Sequence, residues 1–132
     1  MNTATTGDVI DATGLTFRQL DYACRQRCFE VTTRGSGDAR RWSRLAVTQA
    51  ALYAALNGHV DDRAIFAACG AIALTVHDDD FGILDGQWLV LRGTSVAIVH
   101  DAEDFAASQT MTVLSLTPIV RITRELFERL GQ

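Results

Sequence analysis

Residues 6–26, TGDVIDATGLTFRQLDYACRQ, decide how this chain is read. Val9 and Ile10 form the apolar pair of a short helical stretch over Thr6–Asp11. Gly14 can take the positive φ that a tight turn between helices requires. Thr16 then opens a second helix. In Thr16-Phe17-Arg18-Gln19 the threonine hydroxyl can accept from the Gln19 amide while the Gln19 side chain reaches back, which is a capping box. Phe17, Leu20 and Cys24 recur at the spacing of one buried helix face. Arg18, Tyr22 and Arg25 share another face, with Gln19 and Gln26 beside them. Two short helices joined by a glycine turn, the second displaying arginine, glutamine and tyrosine, match the layout of a helix-turn-helix. An ordinary amphipathic helix with a solvated arginine face would show the same pattern.

The residues that follow extend the reading. Phe29-Glu30-Val31-Thr32-Thr33 alternates apolar and polar and is rich in strand formers. Arg34-Gly35-Ser36-Gly37-Asp38 is a glycine-rich turn, and Ala39-Arg40-Arg41-Trp42 is short enough for a return strand. The resulting hairpin places Arg34, Arg40 and Arg41 where they can reach along a phosphate backbone. Ser43 caps a third helix that runs to Asn57-Gly58. The expected order is helix, turn, helix, hairpin, helix. Arginine can pair bidentately with guanine and glutamine with adenine, while tyrosine and further arginines hold phosphates. The candidate DNA-contacting residues are therefore Thr16, Arg18, Gln19, Tyr22, Arg25, Arg34, Arg40 and Arg41.

This order resembles the DNA-binding domain of MerR-type transcription regulators. The match is carried by Asp8-Val9-Ile10-Asp11-Ala12-Thr13-Gly14-Leu15-Thr16-Phe17-Arg18-Gln19-Leu20-Asp21-Tyr22 and Gly35-Ser36-Gly37-Asp38-Ala39-Arg40-Arg41-Trp42-Ser43. Members show an A-x-x-[TS]-G-[LV] turn, a following T-x-R, and R-[RY]-[YW]-[ST] at the entry to the next helix. The chain is most similar to small MerR-like and excisionase-like proteins of actinobacteria and their phages. The resemblance covers about Thr6 to Gly58. It implies that Arg18 is the recognition-helix arginine, that Arg40 grips phosphate from the wing, and that Trp42 packs the wing on the helical core. Two departures stand out. Arg27-Cys28-Phe29 occupies the place where many members have glycine, and Ala23-Cys24 replaces an aromatic after Tyr22.

Charge sharpens this picture. The 132 residues carry 12 basic and 16 acidic side chains, a formal net of −4, which taken whole argues against a nucleic-acid partner. All the basic residues are arginine. Residues 1–57 hold seven arginines against five acids, a net of +2, whereas residues 58–132 carry a net of −6. Such asymmetry fits a nucleic-acid-binding half joined to an acidic half. Absence of lysine follows equally from genome composition, but composition does not cluster charge.

The second half carries fewer signals. Asp61-Asp62 starts a helix with Ile65, Phe66, Cys69 and Ile72 as its apolar stripe, and Cys69 reads as a small core residue. His77-Asp78-Asp79-Asp80-Phe81-Gly82 reads as an acidic loop. Gln87–Arg92 and Ser95–His100 read as a hairpin, Asp101–Ser108 as helical, and Thr110–Leu116 as a third strand. Pro118 suits the first turn of a final helix to about Leu130. The fold class expected is α+β: an N-terminal winged helix-turn-helix over residues 1–58, then a small α+β domain over 59–132. That second domain can pair with its own copy, bind an effector or partner, or fold back over the first half. Pairing through the Ile119–Leu130 helix is favoured, because palindromic sites suit twofold proteins.

The expected function is a sequence-specific, DNA-binding transcription regulator whose partner is double-stranded DNA, with a homodimer through the C-terminal domain. An excisionase-like DNA-bending factor is the alternative, though the acidic second half favours a regulator. Cys24 and Cys28 at i, i+4 could in principle ligate metal, but Cys24 also fits the buried stripe and no second cysteine pair exists. An enzyme using the His77/Asp78–Asp80 loop is a further alternative. Phosphate-loop, nucleophile-elbow and dinucleotide motifs are missing, so no enzyme, cofactor or metal is expected. No apolar run approaches the roughly 20 residues of a membrane span. MNTATTGDVI lacks a signal-peptide pattern, and an odd cysteine count suits free thiols, so the cytoplasm is the expected location.

Overall fold

The computed structural model describes residues 3–33, 40–100 and 111–131. Its elements are helices α1 (Thr6–Thr13), α2 (Phe17–Arg25), α3 (Arg44–Leu56), α4 (Asp62–Thr75) and α5 (Thr117–Arg129), with strands β1 (Thr32–Thr33), β2 (Arg40–Arg41), β3 (Trp88–Arg92), β4 (Ser95–Val99) and β5 (Thr112–Ser115). A 3-10 segment spans Asp78–Leu84. The molecule is thus mixed helix and sheet, as the α+β reading expects.

Local chemistry sets the N-terminal helices. Thr5 caps α1: its hydroxyl accepts from the Asp8 amide at 3.1 Å, and the Asp8 carboxylate accepts from the Thr5 amide at 2.9 Å. Gly14, at φ 77°, ends the helix by donating to the Ile10 carbonyl. Thr16 and Gln19 form the capping box expected of them, at 3.1 and 2.8 Å. The buried face of α2 differs from the expected one. Leu20 and Ala23 are fully buried and Cys24 partly so, but Phe17 is 59% exposed. Phe17 is the first helical residue, and its Cα–Cβ bond tilts toward the N-terminus, off the end of the helix.

Strand β1 is shorter than the expected Phe29–Thr33. Phe29 leaves the ladder for the core, where its ring lies 5.5 Å from Trp42 and 5.9 Å from Tyr53. β1 and β2 pair antiparallel, Thr32 with Arg41 and Thr33 with Arg40. The expected turn at Arg34–Asp38 lies outside the described residues. Trp42 is fully buried, exchanges two backbone hydrogen bonds with Ala4, and donates its indole N–H to Thr6 Oγ1.

Helix α3 follows its Ser43 cap, as expected, and is the centre of the molecule. Every residue from Ala46 to Tyr53 is buried. It packs against α1, α4 and α5, and the buried side chains before and after Gly58 form one continuous cluster. Polar links to α5 cross that cluster. Thr48 Oγ1 meets Thr123 Oγ1 on α5 at 2.8 Å, and the Arg44 guanidinium stacks 4.4 Å from the Phe127 ring. Asp61 caps α4 by accepting from Ala64.

β3 is the centre of a three-stranded antiparallel sheet, in the order β4-β3-β5. The expected hairpin is present, with Gly93 at φ 61° in its turn. Leu89 and Leu91 face the core from β3. The helix expected over Asp101–Ser108, and Thr110 at the start of the expected third strand, lie outside the described residues. Helix α5 begins with Pro118 in its first turn. Its apolar face does not stand free for a second copy. Ile119, Val120, Leu126 and Phe127 are buried within the chain, where α5 packs on α3 and α1. An amphipathic face needs an apolar partner, and α3 supplies one in cis.

Candidate nucleic-acid interface

The candidate residues occupy the outward side of α2, the corner after it, and β2. Helix α2 presents Thr16, Arg18, Tyr22, Arg25, Gln26 and Arg27 to solvent. Arg18 has no ion pair among the described residues. Gln19 is half-buried, and the acceptor oxygen of its amide is spent on the Thr16 cap.

Tyr22 is held from the side. Its hydroxyl donates to Asp62 Oδ2 at 3.0 Å, and its ring lies 6.4 Å from Phe66, both on α4. The Asp62 carboxylate bonded to the neutral phenol holds the Tyr22 pKa above its ordinary value.

Arg25 and Arg40, separated by fifteen positions in the chain, are brought together by Asp21. Asp21 Oδ2 lies 3.0 Å from Arg25 Nε, and Oδ1 lies 2.8 Å from Arg40 Nη2. The Arg40 hydrogen bond, reinforced by the charges of both arginines, pulls the Asp21 carboxyl below its usual value. Arg41 is half-buried on β2, and Arg34 lies outside the described residues. Arg44, counted with the basic cluster, faces inward. It packs over Phe127 and stands 3.9 Å from Asp78.

Sequence reasoning passed over two participants. Asp21 was detectable, since acid and base at i, i+4 are helix-surface neighbours. Arg27 follows α2 at φ 56°, in the left-handed region. There the Cys28 amide closes on the Ala23 carbonyl and the Arg27 amide on the Cys24 carbonyl, the pairing of a left-handed helix end. Glycine is the usual occupant of such a position, and an arginine there does not mark it by residue type.

No protein-family model matches this chain, and no curated protein matches it. Asp78 accepts from the Leu45 amide at 2.9 Å, adding a second cap to α3, and Asp80 accepts from the His77 amide at 2.6 Å. The stretch read as an acidic loop is thus a 3-10 segment with two of its three carboxylates engaged. Cys28 and Cys69 are buried free thiols and Cys24 is half-buried, its pKa raised by burial. Among the described residues, no group of three His, Cys, Asp or Glu is placed to hold a metal ion. No helix among them is long and apolar enough to cross a membrane.

Proposed function

We propose that this chain is a sequence-specific DNA-binding regulator that uses a winged helix-turn-helix, with α2 in the major groove and the β1–β2 ladder on the phosphate backbone. The observation that carries the reading is the gathering of Arg18, Arg25, Arg27 and Arg40 on one surface of α2 and its adjoining ladder, in an acidic protein. Arg18 and the amide nitrogen of Gln19 would face base edges, with Tyr22 beside them. Arg25, Arg40, Arg41 and Arg34 would hold phosphates. The acidic second half would limit indiscriminate association with nucleic acid. A second copy on a palindromic site would have to pair through a surface other than the α5 apolar face.

The test is selection of binding sites from random duplex DNA, combined with a native mass measurement of the complex. An enriched motif is expected, and its symmetry and the mass report stoichiometry. Arg18→Ala should cost about 1–3 kcal/mol and relax sequence preference at the contacted position. Arg40→Ala should weaken binding to all sequences alike and flatten the salt dependence by about one unit. Absence of an enriched motif, with equal residual binding by both variants, would overturn this division of roles.

A further inference from the structure

The corner between α2 and β1 holds a cleft of about 530 Å³ whose lining includes Arg25, Arg27 and Arg40. Phe29 and Glu30 also line it, and among the described residues Glu30 is the one carboxylate to do so. Arg25 and Arg40 are fixed from one side by Asp21. A guanidinium has five N–H donors, so each arginine keeps donors beyond those spent on Asp21. Arg27 has no ion pair among the described residues. Its backbone holds a left-handed conformation that an L side chain adopts at a cost. Strained positions of this kind gather at ligand clamps. The conformation is fixed by the closing bonds of the helix end, and Arg27 lines the same cleft as the other two.

We propose that this cleft is a phosphate-binding site, in which Arg27 joins Arg25 and Arg40 around one phosphate group and Asp21 positions the latter two. Planar, multidentate arginines suit phosphate oxygens, and three of them outweigh Asp21 and Glu30 by one charge. The source to which we commit is a phosphodiester of a DNA duplex, so the proposal rests on the reading above. A free phosphorylated molecule presents the same chemistry, and the experiment separates the two.

The full chain, Arg27→Gly and Arg121→Ala are compared. Glycine suits a positive φ, so Arg27→Gly removes the guanidinium while keeping the backbone, which thermal unfolding verifies. Arg121 is an exposed arginine on α5 and serves as the control. The first measurement is the salt dependence of binding to a random-sequence duplex. The second follows the arginine Nε–H resonances during titration with inorganic pyrophosphate. We expect Arg27→Gly to bind duplex more weakly, with a log–log salt slope shallower by about 0.9, and Arg121→Ala to keep the native slope. If the native chain binds duplex and Arg27→Gly retains its slope, the cleft assignment is overturned while the DNA reading stands. If duplex is not bound but pyrophosphate moves the Arg25, Arg27 and Arg40 resonances, and does so less in Arg27→Gly, the site stands with a free phosphate as its source. Failure of both probes overturns the site and the DNA reading together.

Discussion

Asp21 Oδ1 lies 2.8 Å from Arg40 Nη2, so one carboxylate ties the second helix to the second strand across nineteen residues of chain. The same carboxylate takes Arg25 with its other oxygen. Two arginines that the sequence places apart are thereby aimed from one point. The arrangement also puts a negative charge where a phosphate would compete for the same donors.

Asp21→Asn separates these two effects. Removing the negative charge should tighten binding to non-specific duplex by roughly three- to tenfold at low salt and steepen its salt dependence. Thermal stability should fall at neutral pH. The sign follows from the lowered pKa. The native carboxylate contributes stability above the unfolded value near 3.8, and that contribution is lost as the pH falls through the lower native value. The unfolding temperatures of the native chain and the variant should therefore converge in acid. An unchanged duplex affinity would show that the Asp21 charge does not face the bound phosphates.

Tyrosine titration examines the α2–α4 contact directly, because Tyr22 and Tyr53 are the only two phenols in the chain. Both should ionise above 10, Tyr22 because its hydroxyl donates to Asp62 and Tyr53 because it is buried. A phenol whose native pKa is raised contributes stability below its unfolded value, and this is lost as the pH rises through the native one. Ultraviolet difference titration of Asp62→Asn should move the Tyr22 transition back toward 10 and lower the Tyr53 transition less, because burial is the main cause of the Tyr53 shift and the Asp62 charge only a secondary one. If neither moves, Tyr22 and Asp62 do not meet in solution.

What the sequence revealed and what it concealed divide along contact distance. The Thr16–Gln19 box, the Ser43 cap, Asp61 at the head of α4 and Pro118 in α5 all act within one helical turn, and each was legible. The Thr5–Asp8 box was equally local but went unread, because Asp8 is a less usual reciprocal partner than Glu or Gln. Asp78 capping α3 from 33 residues away leaves no local trace. The amphipathic face of α5 was visible, but periodicity does not say whether its partner is a second copy or α3. At the site, arginine clustering could be read directly. The Asp21 link to Arg40 depends on how α2 meets β2, and the left-handed Arg27 on a helix end closed without glycine.

Gly14 offers a backbone test with little side-chain interference. Its φ is 77°, and a Cβ added there would meet nothing within 4 Å. Gly14→Ala should therefore cost up to about 1 kcal/mol, the left-handed strain less the freedom that glycine has in the unfolded chain, read by denaturant unfolding with an unchanged m-value. Arg27→Gly works in the opposite direction, since it relieves the same strain. It should gain up to about 1 kcal/mol after the greater freedom of glycine in the unfolded chain is subtracted. A loss of stability in Arg27→Gly would mean that the arginine side chain contributes native contacts worth more than the strain.

Gln49, the largest buried polar side chain among the described residues, joins three parts of the fold. Its Oε1 accepts from the Glu30 amide at 2.7 Å, and its Nε2 donates to the Cys69 carbonyl at 2.9 Å. The Cys69 thiol in turn approaches the Gln49 carbonyl at 3.5 Å. Gln49 thus holds the segment leading into β1 against α3 and α4, and with it one wall of the arginine cleft. Gln49→Leu keeps the bulk but leaves the Glu30 amide without its partner, while the Cys69 carbonyl keeps its bond within α4. At about 1–3 kcal/mol for a buried unsatisfied group, the loss should be of that size by chemical denaturation. Gln49→Glu should also destabilise. Protonated, it keeps an acceptor for Glu30 and has one O–H for the Cys69 carbonyl, but it brings an ionisable carboxyl into a site that is 1% exposed. Raising the pH through the range where that carboxyl would ionise should widen the deficit of Gln49→Glu and leave that of Gln49→Leu unchanged, because only the former must stay protonated to remain buried.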